Sequence, residues 1–237
     1  MQDSRVFELY KRCRESFASG LLALLISVVF GACQFTPTVP VAALSPEAQR
    51  VSQALAQWPE IDAGAPALKR PFFATIHILG RRVTASGVLQ YHSPRDFRIT
   101  AVTEMGVILF DARMNWAGVT ALRQMPGLDT SIVESLVSDL SKAFQLPDNL
   151  DGLAQKGNFL ILNRTEADTN KYTWLFDPST GRLHQIDVDI GPFDTLKIEY
   201  PRYNAHGWPE ELTVTRKARF YMINLSFTDS ALAKQNP

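Results

Sequence analysis

Two carboxylates, Asp187 and Asp189, have the spacing that comes nearest to a catalytic or cation-binding pair in this sequence. They flank Val188 in a segment of strand-like composition, and alternate residues of a strand project to the same face. Two carboxylates on one face could hold a cation, or could act as a general acid and a general base. A solvent-exposed strand face would show the same pattern, so both interpretations stay open.

The sequence contains few other patterns that could support catalysis. The four histidines, His77, His92, His184 and His206, include no pair at the i, i+4 spacing of a metalloprotease helix. Neither the Gly-x-Ser-x-Gly turn of a serine hydrolase nor a glycine-rich phosphate-binding loop occurs. The sequence therefore predicts no catalytic residues, no metal site and no cofactor. A hydrolase that uses Asp187 and Asp189 is a weaker alternative.

Cys33 is the residue to which the sequence assigns a chemical modification. An apolar run over residues 20 to 32 precedes it, and this run is shorter than the ~20 residues of a transmembrane helix. Four cations lie before the run, at Arg5, Lys11, Arg12 and Arg14. A charged segment, a short apolar segment and small residues at the end are typical of a secretory signal. The segment Phe30-Gly31-Ala32-Cys33 resembles a bacterial lipobox, whose cysteine is acylated and becomes the first residue of the mature protein.

The lipobox divides the chain into segments. We expect a signal peptide over residues 1–32, an acylated tether over 33–44, one domain over 45–230 and a flexible tail over 231–237. Gln34 is not the Asp that retains such lipoproteins in the inner membrane, so the resemblance implies an outer-membrane lipoprotein that faces the periplasm. An ordinary signal peptide with a chance cysteine, or an uncleaved anchor, is the alternative.

Charge and cysteine content exclude several classes of protein. The chain has 24 Lys and Arg against 24 Asp and Glu, so it lacks the basic surface on which nucleic-acid binding depends. Membrane attachment would come from the acyl chains on Cys33. The only other cysteine, Cys13, lies in the signal segment, so the mature domain could form no disulfide and no thiolate metal site.

The periodicity of the domain predicts a mainly β fold. We expect about ten strands, the last over residues 220 to 227, because short apolar or alternating segments recur between turn signals. Two helices interrupt this series, over residues 46 to 58 and 131 to 144, and both have apolar residues at three- and four-residue steps. Several strands, such as 107 to 110, are apolar on both faces and must be covered on both. Either plain core packing or an apolar cavity would meet that need.

Two groups of residues resemble the LolA/LolB group of lipoprotein-localisation proteins. The first group follows the pattern Gly-x-Leu, Pro-x-x-Phe-Arg, Gly, and comprises Gly87 to Leu89, Pro94 to Arg98 and Gly106. The second group, Trp208 to Leu212, resembles the step into the last strands of LolB-like proteins. The likeness is also close to predicted lipoproteins, related to LolB, that occur with aryl-polyene or fatty-acid-type synthesis genes.

The resemblance implies a fold and a ligand. The fold would be a curved antiparallel sheet, an unclosed half-barrel, whose opening is covered by the two helices. An apolar cavity would hold lipoprotein acyl chains, or an acylated or polyene-type lipid. The chain would act as a monomer, with a periplasmic carrier protein as a candidate partner. A structural lipoprotein that docks a protein partner is the alternative. The candidate lining residues are Phe72, Phe97, Ile99, Ile108, Phe110, Leu136, Leu140, Trp174, Phe176 and Met222.

Overall fold

The computed structural model describes residues 38–41, 45–58, 66–78, 80–166 and 169–228. Cys33, the signal segment and the tail over 231–237 lie outside the described residues, so their assignments stay predictions. The described residues belong to one unit that begins at Thr38. None of the helices in this part of the chain is both long enough and apolar enough to cross a membrane.

In the described part of the chain, thirteen antiparallel strands form a single sheet, in the order β1-β7-β8-β9-β10-β11-β12-β13-β2-β3-β4-β5-β6. Strands β1 and β6 are its two edges, so the sheet does not close. The bounds are β1 Val39–Pro40, β2 Leu68–Ile78, β3 Arg81–Ser93, β4 Asp96–Thr103, β5 Ile108–Asn115, β6 Gly118–Gln124, β7 Ala154–Lys156, β8 Phe159–Thr165, β9 Lys171–Phe176, β10 Leu183–Gly191, β11 Asp194–Tyr203, β12 Pro209–Arg216 and β13 Tyr221–Phe227.

The predicted fold class is confirmed, with three more strands than expected. Strands β1 and β7 contain two and three residues, too few to show a period of two. Strand β6 is an edge strand without a fully buried residue, so its sequence does not alternate between apolar and polar. Val39 pairs with Gln155, which attaches part of the predicted tether to the edge of the sheet.

The two helices begin where their capping residues predict. Helix α1, Pro46–Ala56, starts after Ser45, whose hydroxyl accepts a hydrogen bond from the amide of Ala48 at 3.1 Å. Helix α2, Thr130–Lys142, starts after Asp129, whose carboxylate accepts from the amide of Ser131 at 2.8 Å. Each cap satisfies an amide that has no partner within its helix.

Helix α2 lies on one face of the sheet, which we call the inner face. It contacts β5 and β6 near one edge, and its Asp139 hydrogen-bonds side chains of β12 and β13. Ala143 and Gln145, just after the helix, accept hydrogen bonds from side chains of β11 and β9. From β9 to β6 a flat sheet would measure about 43 Å at the usual strand spacing of about 4.8 Å. A 13-residue helix is only about 20 Å long. The sheet must therefore curve around α2, as an unclosed half-barrel would.

Helix α1 packs at one end of the sheet instead of across its face. The guanidinium of Arg50 donates to the carbonyl of Pro178 in the β9–β10 turn at 2.9 Å. Gly181 in the same turn has a φ of +71°, and a Cβ there would overlap the backbone of Arg50. Trp58, just after α1, stacks on Trp208 at 6.3 Å. α1 and these turns together cover that end of the core.

The residues that carried the family resemblance have structural roles in the sheet. A Cβ at Gly87 would overlap the carbonyl of Thr100 and the ring of Phe72, so glycine is required for the ring to pack there. Phe97 is buried on the inner face. Arg98 forms two hydrogen bonds to Asp111 of β5 across the opposite face. The motif therefore fixes the packing of β2 to β5.

Candidate functional site

The inner face of the sheet brings together most of the predicted lining residues. Side chains on this face alternate along each strand with side chains on the outer face, as the pleat requires. Eight of the ten candidates lie here, none more than 4% exposed, and all belong to one apolar cluster. They are Phe72, Phe97, Ile99 and Phe110 of β2, β4 and β5, Leu136 and Leu140 of α2, and Trp174 and Phe176 of β9. Their contact with a ligand stays a prediction.

Ile108 and Met222 do not belong to this inner set, contrary to the prediction. Met222 pairs with His77 on β2, one residue out of phase with the buried Ile76, so its side chain points to the outer face. Ile108 pairs with Val102 beyond a register shift in β4 and β5, and both side chains are only half-buried. A change of one residue in register transfers a side chain to the other face.

A group of buried charged and polar side chains joins α2 to the sheet. Arg216 of β12 donates to both carboxylate oxygens of Asp139 on α2, at 2.9 and 3.1 Å. The same guanidinium donates through Nε and Nη2 to Asp194 of β11, at 3.1 and 2.6 Å. The hydroxyl of Tyr221 on β13 donates to Asp139. We call Asp139, Arg216, Asp194 and Tyr221 the polar latch.

The latch is deeply buried. The side chains of Asp139 and Arg216 are 1% and 10% exposed, and the ammonium of Lys142 lies 3.6 Å from Asp139. Two cations thus balance two carboxylates, as a buried ionic group requires. Removing one partner of such a pair costs about 3–5 kcal/mol, because the other charge stays buried without compensation.

The surroundings shift the pKa values of three latch groups, Asp194, Arg216 and Tyr221. Hydrogen bonds from Arg216 hold the pKa of Asp194 below its ordinary value, although burial acts in the opposite direction. Hydrogen bonds to Asp194 raise the pKa of Arg216, again against the effect of burial. Burial raises the pKa of the Tyr221 hydroxyl, and the charge of Asp139 adds to this effect. At neutral pH Arg216 and Asp194 are therefore ionised and Tyr221 is neutral.

The segment after α2 is held by hydroxyl and indole groups of the sheet. Tyr200 donates to the carbonyl of Ala143, and the indole of Trp174 donates to the carbonyl of Gln145 at 3.1 Å. These donors satisfy carbonyl groups that a helix end leaves without partners. Phe144 packs on Tyr91 with ring centroids 5.0 Å apart. Helix α2 is thus fixed by two separate polar contacts, the latch and its C-terminal segment.

An open groove lies beside the C-terminal half of α2. Its volume is about 750 Å³, and its walls include the β3–β4 and β5–β6 turns. Apolar groups are supplied by Met114, Trp116 and Leu146, and cations by Arg95 and Lys142. The indole of Trp116 is 80% exposed, and the guanidinium of Arg95 lies 5.4 Å from its centre. The groove falls within the size range of small-molecule sites in proteins, about 300–1,000 Å³.

Asp187 and Asp189 lie on one face of β10, as predicted, but that face is the outer one. The amide of Gln185 donates to both oxygens of Asp187, at 2.7 and 2.9 Å. In the register of the sheet Asp187 pairs with Lys197 and Asp189 with Lys171. The described residues include no group of three or more His, Cys, Asp or Glu side chains that could hold a metal ion. This arrangement is that of a charged, solvent-facing strand surface.

No sequence pattern predicted the latch. Its members are separated by up to 82 residues, so no local motif contains them. One signal was present: Asp139 lies three residues after Leu136 and seven after Ile132, within the apolar stripe of α2. A carboxylate in such a stripe indicates a buried polar partner.

Comparisons with known proteins give only distant structural likenesses. No protein-family model matches the chain, and no curated protein matches it. A LolA superfamily protein from Nitrosomonas europaea is similar with a TM-score of 0.45 and 9% identity, over 76% of this chain and 91% of that chain. A DUF1329 family protein from Desulfovibrio piger is similar with a TM-score of 0.42 and 13% identity, over 78% of this chain and 92% of that chain. At TM-scores below 0.5 these likenesses assign neither a family nor a function to this chain.

Proposed function

We propose that this protein binds the acyl chains of a lipid or of a lipoprotein between helix α2 and the inner face of the sheet. The groove of about 750 Å³ beside α2 is the observation that carries this function. Met114, Trp116 and Leu146 offer apolar surface to a chain, and Arg95 and Lys142 would meet an anionic head group, in a lining that also contains Asp148 and Glu166. The sequence motifs that resemble LolA/LolB proteins support the same class of ligand.

A chain that enters the groove reaches the inner face only if α2 moves. Opening separates the latch and exposes the apolar stripe of α2, whereas burial of each acyl methylene contributes about 0.8 kcal/mol. Only an acyl chain long enough to replace the contacts that α2 loses leaves a net gain. A short or polar ligand would not open the latch, so the latch acts as a filter for chain length.

The location that we propose follows from the sequence alone. Cys33 would be acylated and would anchor the mature, monomeric protein to the outer membrane, facing the periplasm. A periplasmic carrier protein would supply or receive the ligand. A polyene-type lipid is an alternative cargo with the same apolar character. Replacement of Cys33 by serine is expected to abolish incorporation of radiolabelled palmitate, and retained labelling would contradict the assignment.

Photo-crosslinking in cells tests the ligand directly. A benzophenone amino acid in place of Phe110 lies on the inner face, and the same amino acid in place of Phe73 is the matched control. Phe73 lies on the outer face and is 62% exposed. We expect lipid or lipoprotein adducts, identified by mass spectrometry, at position 110 and not at position 73. Adducts of position 110 with its own chain alone would contradict the proposal, and adducts with an unacylated protein would favour the docking alternative.

Opening of α2 is tested at Asp139. The Asp139→Asn substitution removes the charge that binds α2 to Arg216 of β12, so a fluorescent fatty acid should enter faster. Asp187→Asn is the control, because it makes the same change on the outer face. Both variants are compared with the parent chain in lipid nanodiscs, and circular dichroism checks that each is folded. Equal entry rates in folded Asp139→Asn and parent chains would show that α2 does not gate the site.

A further inference from the structure

Two phenylalanines project into solvent from neighbouring turns of the sheet. Phe193 is 100% exposed in the β10–β11 turn, and Phe220 is 72% exposed in the β12–β13 turn. The two turns are adjacent because β11 pairs with β12. We call Phe193 and Phe220 the aromatic tips. They belong neither to the groove nor to the inner face.

The backbone at both tips is unfavourable for phenylalanine. Phe193 has a φ of 68° and Phe220 a φ of 52°, in the left-handed region that bulky side chains rarely adopt. Glycine or asparagine would suit such turn positions better. Because the exposed rings gain no core packing in exchange, the tips are better explained by a contact outside the chain.

Four cations lie at the same end of the sheet as the aromatic tips. Lys217 and Arg219 lie in the same turn as Phe220, and Arg81 and Arg82 follow the β2–β3 turn, which is next in the sheet because β13 pairs with β2. All four side chains are exposed. The acidic residue on these three turns is Asp194, whose carboxylate is bound to Arg216. The solvent side of the turns is therefore both aromatic and basic.

We propose that the aromatic tips and these four cations rest on a bilayer that contains anionic phospholipids. Aromatic rings favour the interface between head groups and acyl chains, and lysine and arginine are attracted to anionic head groups. A protein partner would instead need a contiguous apolar core, from which lysine is usually depleted. Separate rings on narrow turns suit a fluid surface, because lipid head groups can rearrange around each ring.

Local quenching in vesicles tests this orientation with the full chain, whatever else attaches it to the membrane. A fluorescent amino acid replaces Phe193, Phe220 or, as the control, the exposed outer-face residue Phe73. The vesicles contain phosphatidylethanolamine and phosphatidylglycerol, with a nitroxide lipid as quencher. We expect quenching at positions 193 and 220, and little at position 73. Glutamine in place of a single cation should weaken the contact by about fivefold.

Three results would overturn the proposal. The first is equal quenching at positions 193, 220 and 73. The second is a contact at position 193 that persists unchanged when Arg81, Arg82, Lys217 and Arg219 are all glutamine. The third is burial of the label at position 193 in the absence of vesicles, if this burial increases with protein concentration. That result would indicate a second copy of the chain as the partner. Because none of these readouts involves a bound acyl chain, failure here is distinguishable from failure of the proposed function.

Discussion

Arg216 is the residue at which the polar contacts beneath α2 converge. Its guanidinium reaches Asp139 on the helix and Asp194 on the sheet, and the planar group can donate to two carboxylates at once. Lysine at this position would keep the charge and lose the two-sided geometry. The latch therefore depends on the shape of the arginine side chain as well as on its charge.

Because of the latch, the free energy of unfolding should depend on pH in the acid range. The pKa of Asp194 is lowered in the folded protein by hydrogen bonds from Arg216, so the folded state binds this proton less tightly than the unfolded state. The resulting stability is fully present above the ordinary aspartate pKa, and it is lost as pH falls through the lowered folded value. In urea titrations below about pH 4, the parent chain should lose free energy of unfolding faster than Asp194→Asn. Parallel curves for the two chains would contradict this contribution.

Replacement of the aromatic tips by glycine should distinguish a role of their rings in folding stability from a role in membrane contact. Phe193→Gly and Phe220→Gly relieve a left-handed backbone strain of about 1 kcal/mol or more, although glycine also gains entropy in the unfolded chain. We expect the free energy of unfolding to be unchanged or slightly higher, measured by urea denaturation. Phe97→Gly is the buried comparison and should lose at least about 3 kcal/mol. A comparable loss at the tips would mean that their rings support the fold.

At the scale of elements, α2 and the sheet have different kinds of support. Twelve pairings between adjacent strands make the described sheet continuous. Helix α2, in contrast, is held by its apolar stripe, the latch and the contacts after its last turn. Local opening follows the region with the fewest such supports. Helix α2 can therefore move while the sheet persists.

Removal of the cap of α2 should increase its opening without unfolding the sheet. Asp129→Ala removes the acceptor for the amide of Ser131, at a cost of about 1 kcal/mol. We expect faster hydrogen exchange over Thr130–Lys142 and unchanged exchange in β11 and β12, measured by mass spectrometry. Ser45→Ala is the matched control, because it removes the equivalent cap of α1. Equal acceleration in α2 and in the central strands would show that the helix does not open independently.

Across the whole molecule, the aromatic tips and the latch are directly connected along the chain. Phe193 precedes Asp194, Lys217 follows Arg216, and Phe220 precedes Tyr221. A force on these turns at a membrane would therefore act on residues that hold α2. This adjacency joins the proposed membrane contact to the proposed opening of the site.

Anionic vesicles should consequently accelerate uptake of a fluorescent fatty acid by the parent chain. The Phe193→Ser, Phe220→Ser double variant should keep its basal rate and lose the acceleration. Phe73→Ser is the control, because it removes an exposed ring from the outer face. The measurement is the uptake rate with vesicles that contain phosphatidylglycerol against vesicles of phosphatidylcholine alone. If the double variant is accelerated as much as the parent, the tips and the latch are not coupled.

Local sequence patterns predicted the elements that are long and periodic. The apolar stripe placed α2 within about two residues. The edge strands β1, β6 and β7 were missed because they are short or bury few residues. Phe220 was expected to begin the last strand, but it lies in the turn before Tyr221, because its left-handed backbone is one that an aromatic residue does not signal in the sequence.

The sequence by itself determined the mainly β class, the two helices and the absence of a recognisable catalytic motif, and the acylation of Cys33 stays a prediction from it. Each of these features depends on residues that lie within a few positions of one another, so a short stretch of sequence is enough to predict it. Tertiary structure decided which face each side chain occupies, as Met222 and Ile108 show, and it alone assembled the latch. Asp139 and Arg216 are 77 residues apart, and strand register and sheet curvature bring them together. Neither of these is encoded within a local window of sequence.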